Sequence, residues 1–458
     1  MRRAERRMTS RAKKTAGMYC DDTSGSLFGA AAQSYGELDC VDAQEERTFG
    51  RQDGRNERIS GSRTDANAQN RCMEHGYQRR SHRRGAQRKQ YLSEREQSAA
   101  YVHSHRSRRR GASAGGRDLC TDNAKALLIL LVVIGHLLLP LARTPLVNGL
   151  IYLIYSFHMP CFVLLSGFYA KSAVRDGRFR WGKLVQFLWL YLIFKLMLDI
   201  TEGLLAGEVP LWPDLLHESG APWYLLALFF WYLLLPLAAR IAQHGAWARG
   251  GALLAVLLLC VFGKYGVHLR DFFAIDRVIG FAPFFFCGYF WQEEGLVRFE
   301  HARRRFVYAL LLLVLGLGAA FAANTELYQW HLIVYGADYH RYPMSLWPSL
   351  WAVNLGWYAL ALIMSLGLLA LSPGRWIPVW SRIGRYTLQI YILHRPIRDL
   401  LQYAGVLSPE RAASPVFLLL LFCFGAALCV LLSSQFVSKL SSWIWKAPDP
   451  LLRKLRAL

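Results

Sequence analysis

Asp122-Asn-Ala-Lys125-Ala-Leu-Leu-Ile-Leu-Leu-Val-Val-Ile-Gly-His136-Leu-Leu-Leu-Pro-Leu141 is the first run in the chain that a bilayer would accept; beyond Lys125 its only ionisable side chain is His136. A hydrocarbon core about 30 Å thick takes roughly 20 apolar residues as a helix, because a helix bonds all its own backbone groups where no water can. Working outward, nine more such segments follow this one. They lie near 147–169, 181–203, 222–240, 250–265, 275–292, 304–323, 347–371, 383–404 and 414–437, the first being 123–141. The sixth is short and interrupted at Gly280, Pro283 and Gly288. The sequence therefore predicts an all-α integral membrane protein, a polytopic bundle of about ten transmembrane helices.

Composition agrees. The chain is 53% hydrophobic and 14% aromatic, more apolar side chain than one soluble core needs. The mean hydropathy of +0.18 averages two unlike segments. Residues 1–117 hold 22 Arg and 3 Lys against 14 acidic residues, a net +11 and half of the chain's formal +22. Stretches such as Arg80-Ser-His-Arg-Arg-Gly85 and His105-Arg-Ser-Arg-Arg-Arg-Gly111 show no apolar period and too little hydrophobicity to offset the entropy of ordering. A disordered tail over 1–117 is expected, solvated rather than bound to nucleic acid or anionic lipid. Its Arg/Ser/Gly/Gln mixture also fits a gene start assigned too far upstream. The transmembrane domain is expected over 118–438 and a basic tail over 439–458. No n-region, h-region and cleavage site stand together at the start, so no signal peptide is expected. Nine cysteines form no CxxC pair and no Cys/His ligand spacing, and no metal is expected.

Positive charge sets the orientation. Lys171, Arg175, Arg178, Arg180 and Lys183 follow the second segment, Arg240 and Arg249 the fourth, Arg298 and Arg303 to Arg305 the sixth, Arg375 and Arg382 the eighth. The connector between the third and fourth carries Glu202, Glu208, Asp214 and Glu218 with no Lys or Arg. Even-to-odd loops are thus read as cytoplasmic, as are both termini.

Ionisable groups inside the hydrocarbon are costly and mark either a functional site or a hydrogen bond between helices. His136 lies about thirteen residues into the first segment, His158 about eleven into the second and His394 about eleven into the ninth, a similar depth near mid-bilayer at about 1.5 Å per residue. One alone reads equally well as structural; three at one depth favour a site. Lys125, eleven residues before His136, returns to within about 20° of the same helix face three turns nearer the cytoplasm. A snorkelling lysine would also explain it. Asp122 and Asn123 are candidate caps. Pro160 follows His158 closely and loosens its helix. Ser166 reads as a packing residue, since no Gly-x-Ser-x-Gly elbow is present. In His394-Arg395-Pro396 a second intramembrane cation needs an anionic partner, for which Asp199, Asp276 or a phosphate are candidates.

These residues resemble the membrane acyltransferases of the acyltransferase-3 family, in particular the branch similar to fucose 4-O-acetylase, over roughly 117–437. The strongest part is Asp122-Asn-x-Lys125-x10-His136, then Tyr155-Ser-Phe-His158-Met-Pro160 and Ser166-Gly-Phe168. Ala221-Pro-Trp223-Tyr-Leu225 and Ile383-Gly-Arg-Tyr-Thr-Leu-Gln-Ile-Tyr391-Ile-Leu-His394 support it. Much of the family has arginine where this chain has Lys125; lysine keeps the charge but not the bidentate geometry. The resemblance implies transfer of an acyl group, acetyl above all, from an acyl-coenzyme A to a hydroxyl of a cell-surface glycan or lipid-linked sugar at a bacterial cytoplasmic membrane. His136 would be general base or carry a transient acyl-imidazole, with His158 orienting it. Lys125, His394, Arg395 and Trp223 would hold donor or acceptor. Acetyl-coenzyme A enters as substrate, with no resident cofactor. The competing class is a proton-coupled transporter or flippase using the same histidines; no two-half repeat supports it.

Overall fold

Each of the ten apolar segments is helical in the computed structural model, which describes residues 118–142, 144–175, 178–207, 214–266, 271–291, 302–442 and 444. The Arg-rich segment 1–117 and most of the basic C-terminal tail lie outside the described residues.

Helix α1 (Leu119–Leu138) starts earlier than its apolar run because the Asp118 carboxylate accepts from the amides of Cys120 and Thr121, making Asp118 the cap in place of Asp122 or Asn123. Thr144 caps α2 (Pro145–Ala170), with Pro145 at the first position, where a missing N–H costs nothing. A short antiparallel ladder, β1 (Val174–Arg175) with β2 (Arg178–Phe179), leads to α3 (Gly182–Ala206), which ends on Gly207 at φ +79°. α4 (Trp223–Leu233) and α5 (Leu235–Gln243) meet at 47° and precede α6 (Gly245–Phe262) and α7 (Ile275–Phe290). After α8 (Ala302–Ala322) the chain turns by 94° through a 3-10 turn into α9 (His331–Val334). Then come α10 (Trp347–Leu371), α11 (Trp380–Arg385), α12 (Thr387–Tyr403), α13 (Pro415–Leu432) and α14 (Gln435–Leu440).

Six helices among the described residues are long and apolar enough to cross a bilayer unaided, and eight spans result if each bent pair is one crossing. The two segments left over are the 16-residue α7 and the 17-residue α12, the second loaded with His394, Arg395, Arg398 and Asp399. The architecture is an all-α, multi-pass membrane bundle.

Its layers follow from which faces are apolar outward. In α1 and α2 the most apolar stretch is 67% and 72% buried, in α6 only 11%, so α1 and α2 form the centre and α6 the rim. Leu254, Leu258 and Phe262 of α6, Leu317 and Phe321 of α8, and Leu419 and Leu420 of α13 are exposed, which suits lipid and not water. At the centre α2 crosses α7 glycine to glycine. A Cβ on Gly167 would run into the Phe285 carbonyl, and one on Gly288 into the Leu164 carbonyl. Small residues let two backbones approach this closely.

Pro160 sits inside α2 and leaves the carbonyl four residues back, that of Ser156, without its helical donor. The Trp357 indole of α10 donates to that oxygen at 3.2 Å. Trp357→Phe keeps most of the ring packing and abandons a buried acceptor, so it is expected to cost about 1–3 kcal/mol, seen as a lower thermal midpoint in detergent; an unchanged midpoint would mean that the carbonyl is satisfied otherwise.

Candidate active site

The four sequence blocks pack against one another around α1 and α12. At one end the Asp122 carboxylate takes Lys125 Nζ at 2.9 Å and lies 3.9 Å from Arg385 Nε. Asn123 bonds the carbonyls of Pro373 and Arg375, and its Oδ1 accepts from Ser381 Oγ at 2.6 Å. Gly384 presses on the Asp122 carbonyl, where no Cβ would fit. The resemblance's first motif thus clamps its last one. Lys125 is buried, 5% exposed, with the Tyr169 ring 5.5 Å away.

Roughly three turns along α1 lies the second cluster. The His136 and His394 rings stand 5.3 Å apart, centroid to centroid. Arg395 Nη1 donates to His136 Nδ1 at 3.4 Å, and Arg398 Nε to the His136 carbonyl at 3.3 Å. Because Gly384 meets Asp122 while Arg395 and Arg398 meet His136, the α11–α12 segment runs parallel to α1. Asp399 Oδ1 holds both guanidiniums, Arg398 at 2.6 Å and Arg395 at 3.4 Å. The carboxylates considered from the sequence are engaged elsewhere: Asp199 pairs with Lys195 at 3.6 Å and Asp276 with Arg341 at 3.4 Å.

His158 is one ring removed. Tyr155 lies edge-on between, 4.9 Å from His158 and 6.5 Å from His136. His136 stands in the last turn of α1, which gives way to a 3-10 turn at Pro140, whereas His158 is midway along α2.

Between the two charged ends lies a small apolar pocket of about 20 Å³ lined by Ile129, Val132, Met159, Phe162, Tyr224 and Tyr391, among others. Tyr391 hydrogen-bonds the Ala221 carbonyl, and the Tyr224 hydroxyl bonds Ser166 Oγ, so the Ala-Pro-Trp block and the α2 serine brace two of the lining tyrosines. Ser166 also bonds the Phe162 carbonyl of its own helix, the packing role expected of it. Trp223 packs against Phe281 at 4.9 Å and Tyr224 at 6.0 Å, a layer outside the imidazoles.

Over residues 119–434 the chain matches the acyltransferase domain of the acyltransferase-3 family. It belongs to that family. Two relatives are nodulation proteins NolL: that of Mesorhizobium japonicum is 30% identical over 165 residues, 32% of this chain and 42% of the relative, and that of Sinorhizobium fredii is 28% identical over 163 residues, 32% and 44%. The match thus spans less than half the length of either relative. No solved structure matches the chain significantly.

For a membrane acyltransferase the arrangement supplies imidazoles at one end, cations at both, and apolar side chains between. Arg277 positions the loop before Trp223 by donating to the carbonyls of Glu218, Ser219 and Gly220, and its guanidinium lies 6.0 Å from the Trp223 ring. In that loop Glu218 is almost fully buried; burial pushes its carboxyl above the usual range and Lys195, 3.8 Å away, draws it back. Sequence reading missed Asp399 and Tyr155. Asp399 stood four residues after Arg395, the spacing of a helical ion pair, and could have been found.

Proposed function

We propose that this acyltransferase moves an acyl group, acetyl first among candidates, from an acyl-coenzyme A to a hydroxyl of a carbohydrate or lipid-linked sugar, with general-base catalysis by the His136–His394 pair. The observation that carries the reading is the approach of His136 to His394 at one end of α1 and the Lys125–Asp122–Arg385 node about three turns away, with only apolar and aromatic side chains such as Ile129, Val132 and Met159 lining the pocket between them. A thioester donor is built the same way, with an anionic phosphate end, an extended pantetheine arm and a reactive carbonyl. In the reaction the hydroxyl loses its proton to an imidazole and attacks the carbonyl, the C–S bond breaks, and the thiolate takes that proton as coenzyme A leaves. Lys125 and Arg385 would meet the donor's phosphate end, and Trp223 the outer wall of the path. The lipid bilayer, acyl-coenzyme A and the glycan are the partners; the membrane is the bacterial cytoplasmic membrane with both termini on the cytoplasmic side, which places the donor where coenzyme A is available.

The test uses the purified full chain in nanodiscs with radiolabelled acetyl-coenzyme A and an extract of host glycans. Label passing to glycan supports the reading. Folded protein that neither binds coenzyme A nor moves label sinks it and reopens proton-coupled transport. Lys125→Met is expected to raise the donor KM by about tenfold, the equivalent of roughly 1.4 kcal/mol of lost binding, with kcat far less affected; Lys125→Arg should recover most of that loss. A KM unmoved by either change would remove Lys125 from the donor path.

A further inference from the structure

We infer that His394, and not His136, takes the proton from the acceptor hydroxyl, while His136 acts as a hydrogen-bond donor; the assignment rests on the acyl-transfer reading and deepens it. It follows from which ring nitrogen each imidazole has free. Arginine can only donate, so the Arg395 guanidinium at 3.4 Å makes His136 Nδ1 an acceptor. A neutral imidazole has one N–H, and with Nδ1 accepting, that hydrogen sits on Nε2. His136 therefore offers N–H to a ligand, and its lone pair is already engaged by a cation.

His394 is set the other way round. Its Nδ1 lies 3.0 Å from the Ile390 carbonyl, which can only accept, so Nδ1 carries the hydrogen and Nε2 carries the lone pair. That Nε2 is buried, in a residue 0% exposed, and has no hydrogen-bond partner among the described residues. Arg395 Nε and Asp399 Oδ2 of the same helix are likewise buried without a partner among the described residues. Buried polar atoms are seldom left unbonded, and an unbonded imidazole nitrogen on a ring 5.3 Å from that of His136 is the imprint of a small polar group that binds there. A hydroxyl is such a group, since it can donate to His394 Nε2 while its oxygen accepts. His136 keeps some exposure.

The step then balances as follows. The hydroxyl O–H bond breaks with its proton passing to His394 Nε2, and the oxygen forms a bond to the thioester carbon. His136 Nε2–H donates to the carbonyl oxygen as it gains charge. The C–S bond breaks, and the thiolate recovers the proton from His394 as the coenzyme A thiol. Asp399 keeps the two arginines partly neutralised while His394 is charged.

Amide isosteres separate the roles. Glutamine can place an N–H where imidazole Nε2–H stood, so His136→Gln should lower kcat by only about tenfold, whereas His394→Gln should lower it by a hundredfold or more, within the range of general-base loss. His394→Asn keeps a donor for the Ile390 carbonyl but has no basic nitrogen; it should be as inactive as His394→Gln, with donor KM and elution profile unchanged. An active His394→Asn would show that His394 only braces its helix, and a dead His136→Gln beside an active His394→Gln would return the base to His136. Either result overturns the assignment while label transfer by the wild type leaves the acyl-transfer reading standing. A wild type that moves no label removes both.

Discussion

Asp399→Ala is expected to cost on the order of 3–5 kcal/mol of stability and to abolish acyl transfer. Its carboxylate is 6% exposed and its Oδ1 alone serves Arg398 and Arg395. Removing it leaves two guanidiniums facing each other beside two imidazoles, away from water, with nothing to offset their desolvation. Arg395 would then swing off His136 Nδ1, and the ring that it orients would lose its fixed tautomer. The measurement is a thermal midpoint in detergent beside a transfer assay. The double variant Asp399→Ala with Arg398→Met should recover part of the stability, because it removes one of the stranded charges, but should not recover activity. An Asp399→Ala protein with a normal midpoint would mean that solvent reaches the arginines and that the centre is not the closed site described.

What the sequence could disclose depended on which physical constraint wrote the signal. Bilayer thickness dictates length and apolarity, so the ten segments were readable, and the early start of α1 was missed only because Asp118 stands outside the apolar run. Charges in apolar surroundings are equally visible, which is why His136, His158, His394 and Arg395 stood out before any fold was known. Periodicity within a helix carries no record of which helix lies alongside. The 5.3 Å approach of His136 to His394 joins residues 258 positions apart, and their depths alone grouped His158 with them just as strongly. Tautomers are further out of reach, since they depend on whether a ring nitrogen meets an arginine or a carbonyl. The clamp of Gly384 on Asp122 was hidden for a related reason: each motif was legible as a block, and nothing in either said that one would seat on the other.

Gly288 shows the same gap from the side of packing, where a helix-weakening residue in the sequence turns out to be the point of closest contact. Gly288→Val is expected to leave almost no monodisperse protein, because a side chain there meets the backbone carbonyl of Leu164 and not a movable rotamer. Overpacked cores usually lose about 1–3 kcal/mol by shifting side chains; here α2 and α7 would have to part along the crossing that orders both. The partner position behaves alike, since Gly167 meets Phe285 and lies nine residues from His158, so separation of the two helices would also displace the imidazole face of α2. Gly318→Ala in α8 is the control: it is exposed, has open space around its added Cβ and should leave the yield and the thermal midpoint unchanged. Comparable size-exclusion profiles for Gly288→Val and Gly318→Ala would mean that α2 and α7 do not cross in contact, and the placement of His158 relative to His136 would fall with that crossing.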